Sequence, residues 1–195
     1  MRMRIRAAAA AAAAAAIVGL LPIGAGAASA EPFGTHTAAA HQIGTMKEWG
    51  SGIHKSYRRG NTVYLTMYYT QKSPDTLVPF GFGLSLWNHS APGEKQLRGI
   101  TATWWNPVRH RWEKPSYQES DGLFGFDLPA GSTVKLASGK VGHVYVRVTF
   151  GKTAYTGQWH FEPMVTAYSL LTRKGTSDNN FLADSSTQYT STLRP

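Results

Sequence analysis

Two stretches of strict alternation constrain this chain more than anything else in it. In Thr62–Thr70 the residues Val63, Leu65, Met67 and Tyr69 fall on one parity, and Tyr64, Thr66, Tyr68 and Thr70 on the other. In His143–Phe150 the residues Val144, Val146, Val148 and Phe150 point one way, and His143, Tyr145, Arg147 and Thr149 the other. A period of two in β-branched and aromatic residues is the mark of a strand with one buried face. No segment sustains the 3.6-residue period of an amphipathic helix, which argues for strands throughout.

Shorter strands fill the space between. Phe80, Phe82, Leu84 and Leu86 alternate with Gly81, Gly83, Ser85 and Trp87. Ile100, Ala102 and Trp104 alternate with Thr101, Thr103 and Trp105, which assigns Trp104 to the core and Trp105 to the surface. Asn106-Pro107 turns the chain, and Arg111–Gln118 runs back as a hairpin partner. Leu123–Leu128, Ser132–Leu136 and Ala154–Phe161 read as further strands, and Val165–Leu171 as one more strand or a short helix. This spacing predicts an all-β fold, an antiparallel immunoglobulin-like β-sandwich of about eight strands. The sandwich is expected over residues 61–171. Residues 31–60, with Gly34, Gly44, Gly50, Gly52 and Gly60, are expected to be loosely structured. Residues 172–195, rich in Ser, Thr, Asp and Asn, are expected to form a mostly irregular polar tail.

Residues 1–30 read as an address. Arg2, Arg4 and Arg6 precede an alanine run from Ala7 to Ala16, then Ile17, Val18, Leu20 and Leu21, a break at Pro22, and Ala28-Ser29-Ala30. That is the order of a secretory signal peptide, with cleavage expected before Glu31. Without Arg2, Arg4 and Arg6 the 20 basic residues become 17 against 11 acids, a formal charge of +6. The chain is expected to be secreted, with no membrane span after cleavage, and attracted to anionic surfaces. It has no Cys, which excludes disulfide staples, thiol nucleophiles and thiolate metal sites.

Four segments carry a resemblance. They are Ile100–Pro107 with Arg111-Trp112-Glu113, then Leu128–Ser132, then Val146–Gly151, and then Tyr155-Thr156-Gly157. On these the span from about Asn61 to Phe161 resembles the immunoglobulin-like modules of secreted actinobacterial proteins. The resemblance implies a β-sandwich and no particular chemistry.

No motif in the chain points to catalysis. Gly50-Ser51-Gly52 lacks the spacing of a nucleophile elbow. The carboxylates Glu113, Glu119, Asp121 and Asp127 read as strand and turn charges. His36 and His41 lie five apart without helical periodicity and read as solvated rather than as a metal pair. Neither a catalytic residue nor a cofactor is expected. Aromatic and basic residues say more. Trp105 and Trp112 face each other across the hairpin, either stabilising it as a cross-strand pair or stacking on a ligand. Arg109 and Arg111 at the tip would add attraction for anions. These four are the candidate ligand-binding residues. The expected function is an exported, non-enzymatic binding or interaction protein acting outside the cell or at its envelope. The alternatives are a carbohydrate-binding module using Trp105, Trp112 and Trp87, or an inhibitor of a secreted enzyme presenting Asn88–Gln96. The partner would be an anionic envelope polymer, a polysaccharide or a secreted protein, and nucleic acid is not expected.

Overall fold

The computed structural model describes residues 40–132, 134–177 and 180–195, and the expected signal peptide lies outside them, as does His36. Thirteen strands form two packed sheets, with no α-helix among the described residues. The strands are β1 (His41–Ser51), β2 (Ser56–Arg58), β3 (Thr62–Lys72), β4 (Thr76–Trp87), β5 (Ile100–Asn106), β6 (Arg111–Glu113) and β7 (Tyr117–Gln118). They continue with β8 (Leu123–Asp127), β9 (Val141–Phe150), β10 (Gly157–Thr172), β11 (Gly175–Ser177), β12 (Asn180–Ser186) and β13 (Tyr189–Arg194). The first sheet has the order β12-β1-β3-β9-β5-β6. The second has the order β2-β13-β10-β4-β8-β7, with β11 folded back on β10.

The alternation read from the sequence sets the core. Val144, Val146, Val148 and Phe150 are buried, and so are Val63, Leu65, Met67 and Tyr69 from the neighbouring strand. From the second sheet Phe82, Leu84, Leu86, Phe124, Phe126, Trp159 and Phe161 pack against them. Each such side chain contributes roughly 1.5–3 kcal/mol when fully buried. Burial in this layer raises the Tyr69 hydroxyl to about 12. Trp104 is buried, and its ring tilts against Phe126 at 5.9 Å.

The sandwich is therefore all-β, as expected, but it draws on more of the chain than residues 61–171. Of the segment read as loose, residues 31–39 lie outside the described residues, and the rest supplies β1 and β2. Gly44 sits where the β1 register shifts, and a side chain there would strike the Lys72 carbonyl. Gly50 N–H donates to the Tyr189 hydroxyl at 2.9 Å. The segment read as an irregular tail supplies β11, β12 and β13, and Leu182 and Leu193 plug into the core. Both additions bring parallel pairing, β1 with β12 and β13 with β2, so the sheets are mixed rather than wholly antiparallel.

Three smaller differences have local causes. Arg111–Gln118 is two strands in different sheets, because Pro115 has no N–H to continue a ladder. Ser132–Leu136 contributes a single bridge, Leu77 to Leu136, rather than a strand. Val165–Leu171 belongs to the long strand β10, which slips register between Val165 and Ala167 and so hides its periodicity. At that slip the Val165 N–H donates to the carboxylate of Glu48, a buried group of the opposite sheet, at 2.6 Å.

Candidate binding surface

In the first sheet the residues that alternate with the core positions face outward, and the register lines these positions up in rows. Thr62, Thr149 and Thr101 form one row. Tyr64, Arg147 and Thr103 form the next. Thr66 and Tyr145 follow, with the Trp105–Trp112 pair beyond them. Trp49, Tyr68 and His143 come after that, and then Lys47, Thr70 and Val141. No Asp or Glu occupies any of these positions.

The aromatic rings touch along the rows. Trp49 stacks on Tyr68 at 5.4 Å and 15°, and His143 meets Tyr145 edge-on at 4.9 Å. Tyr64 is 66% exposed and Tyr145 45%. Arg147 is a charge of the face that its neighbours hold in place. Its guanidinium carbon lies 3.8 Å from the centre of the Trp112 ring, and its Nε donates to Thr103 Oγ1 at 3.1 Å. A stacked guanidinium of this kind is worth about 0.5–1 kcal/mol where exposed.

The hairpin behaves as the sequence suggests in one respect and not in another. Trp105 and Trp112 are directly paired across β5 and β6, edge to face at 5.9 Å and 71°. Both are half-buried, and Arg147 covers one face of Trp112. Arg109 and Arg111 do not join them. Arg111 pairs with Asn106, one residue out of phase with the tryptophans, and so faces the other side of the hairpin. There Glu113 accepts from Arg111 Nε at 2.7 Å, from Arg109 at 3.1 Å and from Asn106 Nδ2 at 2.8 Å. These donors, Arg111 foremost, hold the Glu113 carboxyl down at about 2. Buried Asn106 also accepts from the N–H groups of Val108 and Arg109, which fixes the turn, and His110 takes the left-handed φ of 51°. Both arginines are thus committed to one carboxylate of their own hairpin.

Trp87 lies on the opposite sheet, stacked on His160 at 5.0 Å and 8°, with His89 edge-on to the same imidazole. Burial, and then the nearby His89, lower the pKa of His160. Asn88–Gln96 is closed on itself: Gln96 accepts from Asn88 N–H at 2.8 Å and donates to the Asn88 and Ala91 carbonyls at 3.1 Å. A loop folded in this way is not the extended element that an inhibitor would present. His41 opens β1 and is exposed, and no group of three or more metal-ligating side chains occurs among the described residues.

Sequence reasoning placed Tyr64, Thr66, Tyr68, Tyr145 and Arg147 outside but did not bring them together. Alternation sorts residues to a face, whereas the rows depend on register between distant strands. Arg147 was legible as an outward charge in an otherwise aromatic and hydroxylated strand, and that was the available signal.

No protein-family model matches the chain, and no curated protein matches it significantly. Solved structures do resemble it. One is AvmM, described as catalysing macrocyclization in alchivemycin A biosynthesis: identity is 15%, the alignment covers 80% of this chain and 92% of that one, and the TM-score is 0.51. Another is a cohesin module of a family 33 glycoside hydrolase from Clostridium perfringens, at 10% identity over 78% of this chain and 97% of that one, with a TM-score of 0.45. The seventh ScaB type I cohesin from Pseudobacteroides cellulosolvens matches at 12% identity over 77% and 92%, with a TM-score of 0.44. At such identities the likeness to AvmM concerns the fold alone, and the fold that this chain shares with it is a β-sandwich.

Proposed function

We propose that this chain is an exported, non-enzymatic β-sandwich module that works by binding, in the extracellular space or at the cell envelope. Its contact surface is the outer face of the six-stranded sheet. The observation that carries this reading is the composition of that face: rows of Tyr, Trp, His and Thr with Arg147, Lys47 and Lys72 and no acid. The signal-like residues 1–30 support export, with maturation at Glu31, and the resemblance over residues 61–161 to secreted actinobacterial immunoglobulin-like modules points the same way. The absence of a hydrolase motif in the sequence supports a non-catalytic role. So does the engagement of Glu113 by two arginines of its own hairpin.

Carbohydrate is the ligand class that this face suits best. Flat rings match the apolar C–H faces of sugars, and threonine hydroxyls both donate and accept. Co-sedimentation with an envelope preparation tests the reading. The double variant Tyr64→Ala/Tyr145→Ala should lose at least about tenfold in binding while its circular dichroism stays unchanged. Parental binding by that variant would remove this face from consideration. Intact mass of the exported protein checks the start at Glu31.

A further inference from the structure

Beside Arg147 the outer face dips into a shallow depression lined by Thr62, Tyr64, Thr101, Thr103 and Thr149. Taking the outer face as the contact surface, we infer that this depression binds the carboxylate of a uronic-acid unit, so that the ligand is an acidic polysaccharide.

Arg147 stands apart from the arginines of the hairpin. Arg109 and Arg111 share the Glu113 carboxylate, whereas no carboxylate among the described residues pairs with Arg147. Its Nε is used by Thr103 and one of its faces by Trp112. These contacts hold the guanidinium plane in place, and the N–H donors of its two terminal nitrogens find no acceptor among the described residues. A planar fork held in this way is matched by the two oxygens of a carboxylate. Little rotamer freedom remains to be lost on binding, since the side chain is already fixed.

The rest of the depression fits a sugar ring attached to that carboxylate. Tyr64 is directly opposite Arg147 across the strand pair and offers an open ring. Thr62 and Thr149 share a hydrogen bond at 2.8 Å, and each hydroxyl retains capacity for a sugar hydroxyl. A glycerol-phosphate polymer would supply the anion but no ring face for Tyr64. Nucleic acid would supply rings, yet its affinity grows with the number of phosphates neutralised, and the outer face carries only Arg147, Lys47 and Lys72 as fixed cations. A uronate polymer satisfies the fork, the ring and the hydroxyls together.

The probes are polygalacturonate and its fully methyl-esterified form, which keep one backbone and differ in the carboxylate. Affinity electrophoresis of the exported protein should show binding to the acid form about tenfold tighter than to the ester. Arg147→Lys keeps the charge and removes the fork, and it should markedly narrow the advantage of the acid over the ester. Thr103→Val, which releases Nε, should act in the same direction, and Tyr64→Ala should weaken both polymers. Urea denaturation of each variant controls for folding. Equal binding of acid and ester overturns carboxylate recognition and leaves the contact face standing. So does an Arg147→Lys variant that behaves like the parent. Displacement by poly(glycerol phosphate) or single-stranded DNA as effective as by polygalacturonate overturns it too, as does a dimer in sedimentation that Tyr64→Ala dissociates. If neither polymer binds and Tyr64→Ala/Tyr145→Ala leaves envelope co-sedimentation unchanged, both the inference and the reading beneath it fail.

Discussion

The two sheets of this sandwich have opposite outer faces although both are built on alternation. In the six-stranded sheet the outward positions of β3, β5 and β9 are large or hydroxylated, and the face stands open to solvent. In the other sheet the outward positions of β4 and β8 include Gly81, Gly83 and Gly125. There the chain covers its own surface. The Tyr117 ring lies on Gly125, and Thr166 and Met164 close over Gly83. Glycine in a strand gives up side-chain packing, and an aromatic neighbour laid over it restores some. A face that fills its own hollows has little left to offer a ligand. The open aromatic face has no such use for its rings.

The comparison can be attacked first where the second sheet is fullest. A side chain added at Gly83 would meet Thr166 Cγ2 at 2.7 Å, Met164 at 3.0 Å and Leu123 at 3.1 Å. Gly83→Val should therefore cost about 1–3 kcal/mol by overpacking. Thr66→Val, on the open face, should stay within about 0.5 kcal/mol. Urea midpoints of the two variants give the order, and equal losses would mean that the faces do not differ as described. A smaller contrast compares two tyrosines. Tyr117→Ala uncovers Gly125 and should lose about 0.5–1.5 kcal/mol, whereas Tyr64→Ala should leave stability nearly unchanged.

The smallest effect is a slope. His160 sits on the self-covered face between Trp87 and His89, with its pKa below the ordinary imidazole value. Between that lower value and about 6.5 the unfolded chain holds a proton that the folded chain does not. Stability should therefore decline as pH falls below about 6.5 and level off beneath the folded-state value. His160→Gln should flatten that part of a melting-temperature profile, and an unchanged profile would mean that the imidazole is freely solvated.

How much of this was legible in the sequence follows from how local each feature is. Alternation in β3, β5 and β9 needs only neighbouring residues, so Val146 inside and Arg147 outside could be read directly, as could Trp104 inside and Trp105 outside. The Trp105–Trp112 pairing was legible because Asn106-Pro107 marks the turn between them. β12 and β13 were not legible, since their outward sides mix Ser, Thr, Ala and Arg with an exposed Phe181, and only Leu182, Ser191 and Leu193 are deeply buried. Such a pattern looks like a polar tail until a partner strand is known. The committed state of Arg109 and Arg111 was hidden for a different reason. In the sequence both read as free charges, but Asn106 folds the turn so that Glu113 reaches them. Charge is legible in a sequence, whereas its neutralisation depends on the turn.

The parallel partners of the earliest strands set a schedule for assembly. β1 pairs with β12, and β13 lies between β2 and β10 inside its sheet. The Gly50–Tyr189 hydrogen bond joins residues 139 apart. A ribosome delivers the chain from its N-terminus, so hairpins such as β5–β6 form early while β1 and β10 each keep an unpaired edge. Those edges are templates for pairing with other chains until β12 and β13 arrive. Closure through such distant contacts is slow. Until β12 and β13 have paired the protein is therefore an open sandwich, and the interval in which it can aggregate ends only when that slow closure is complete.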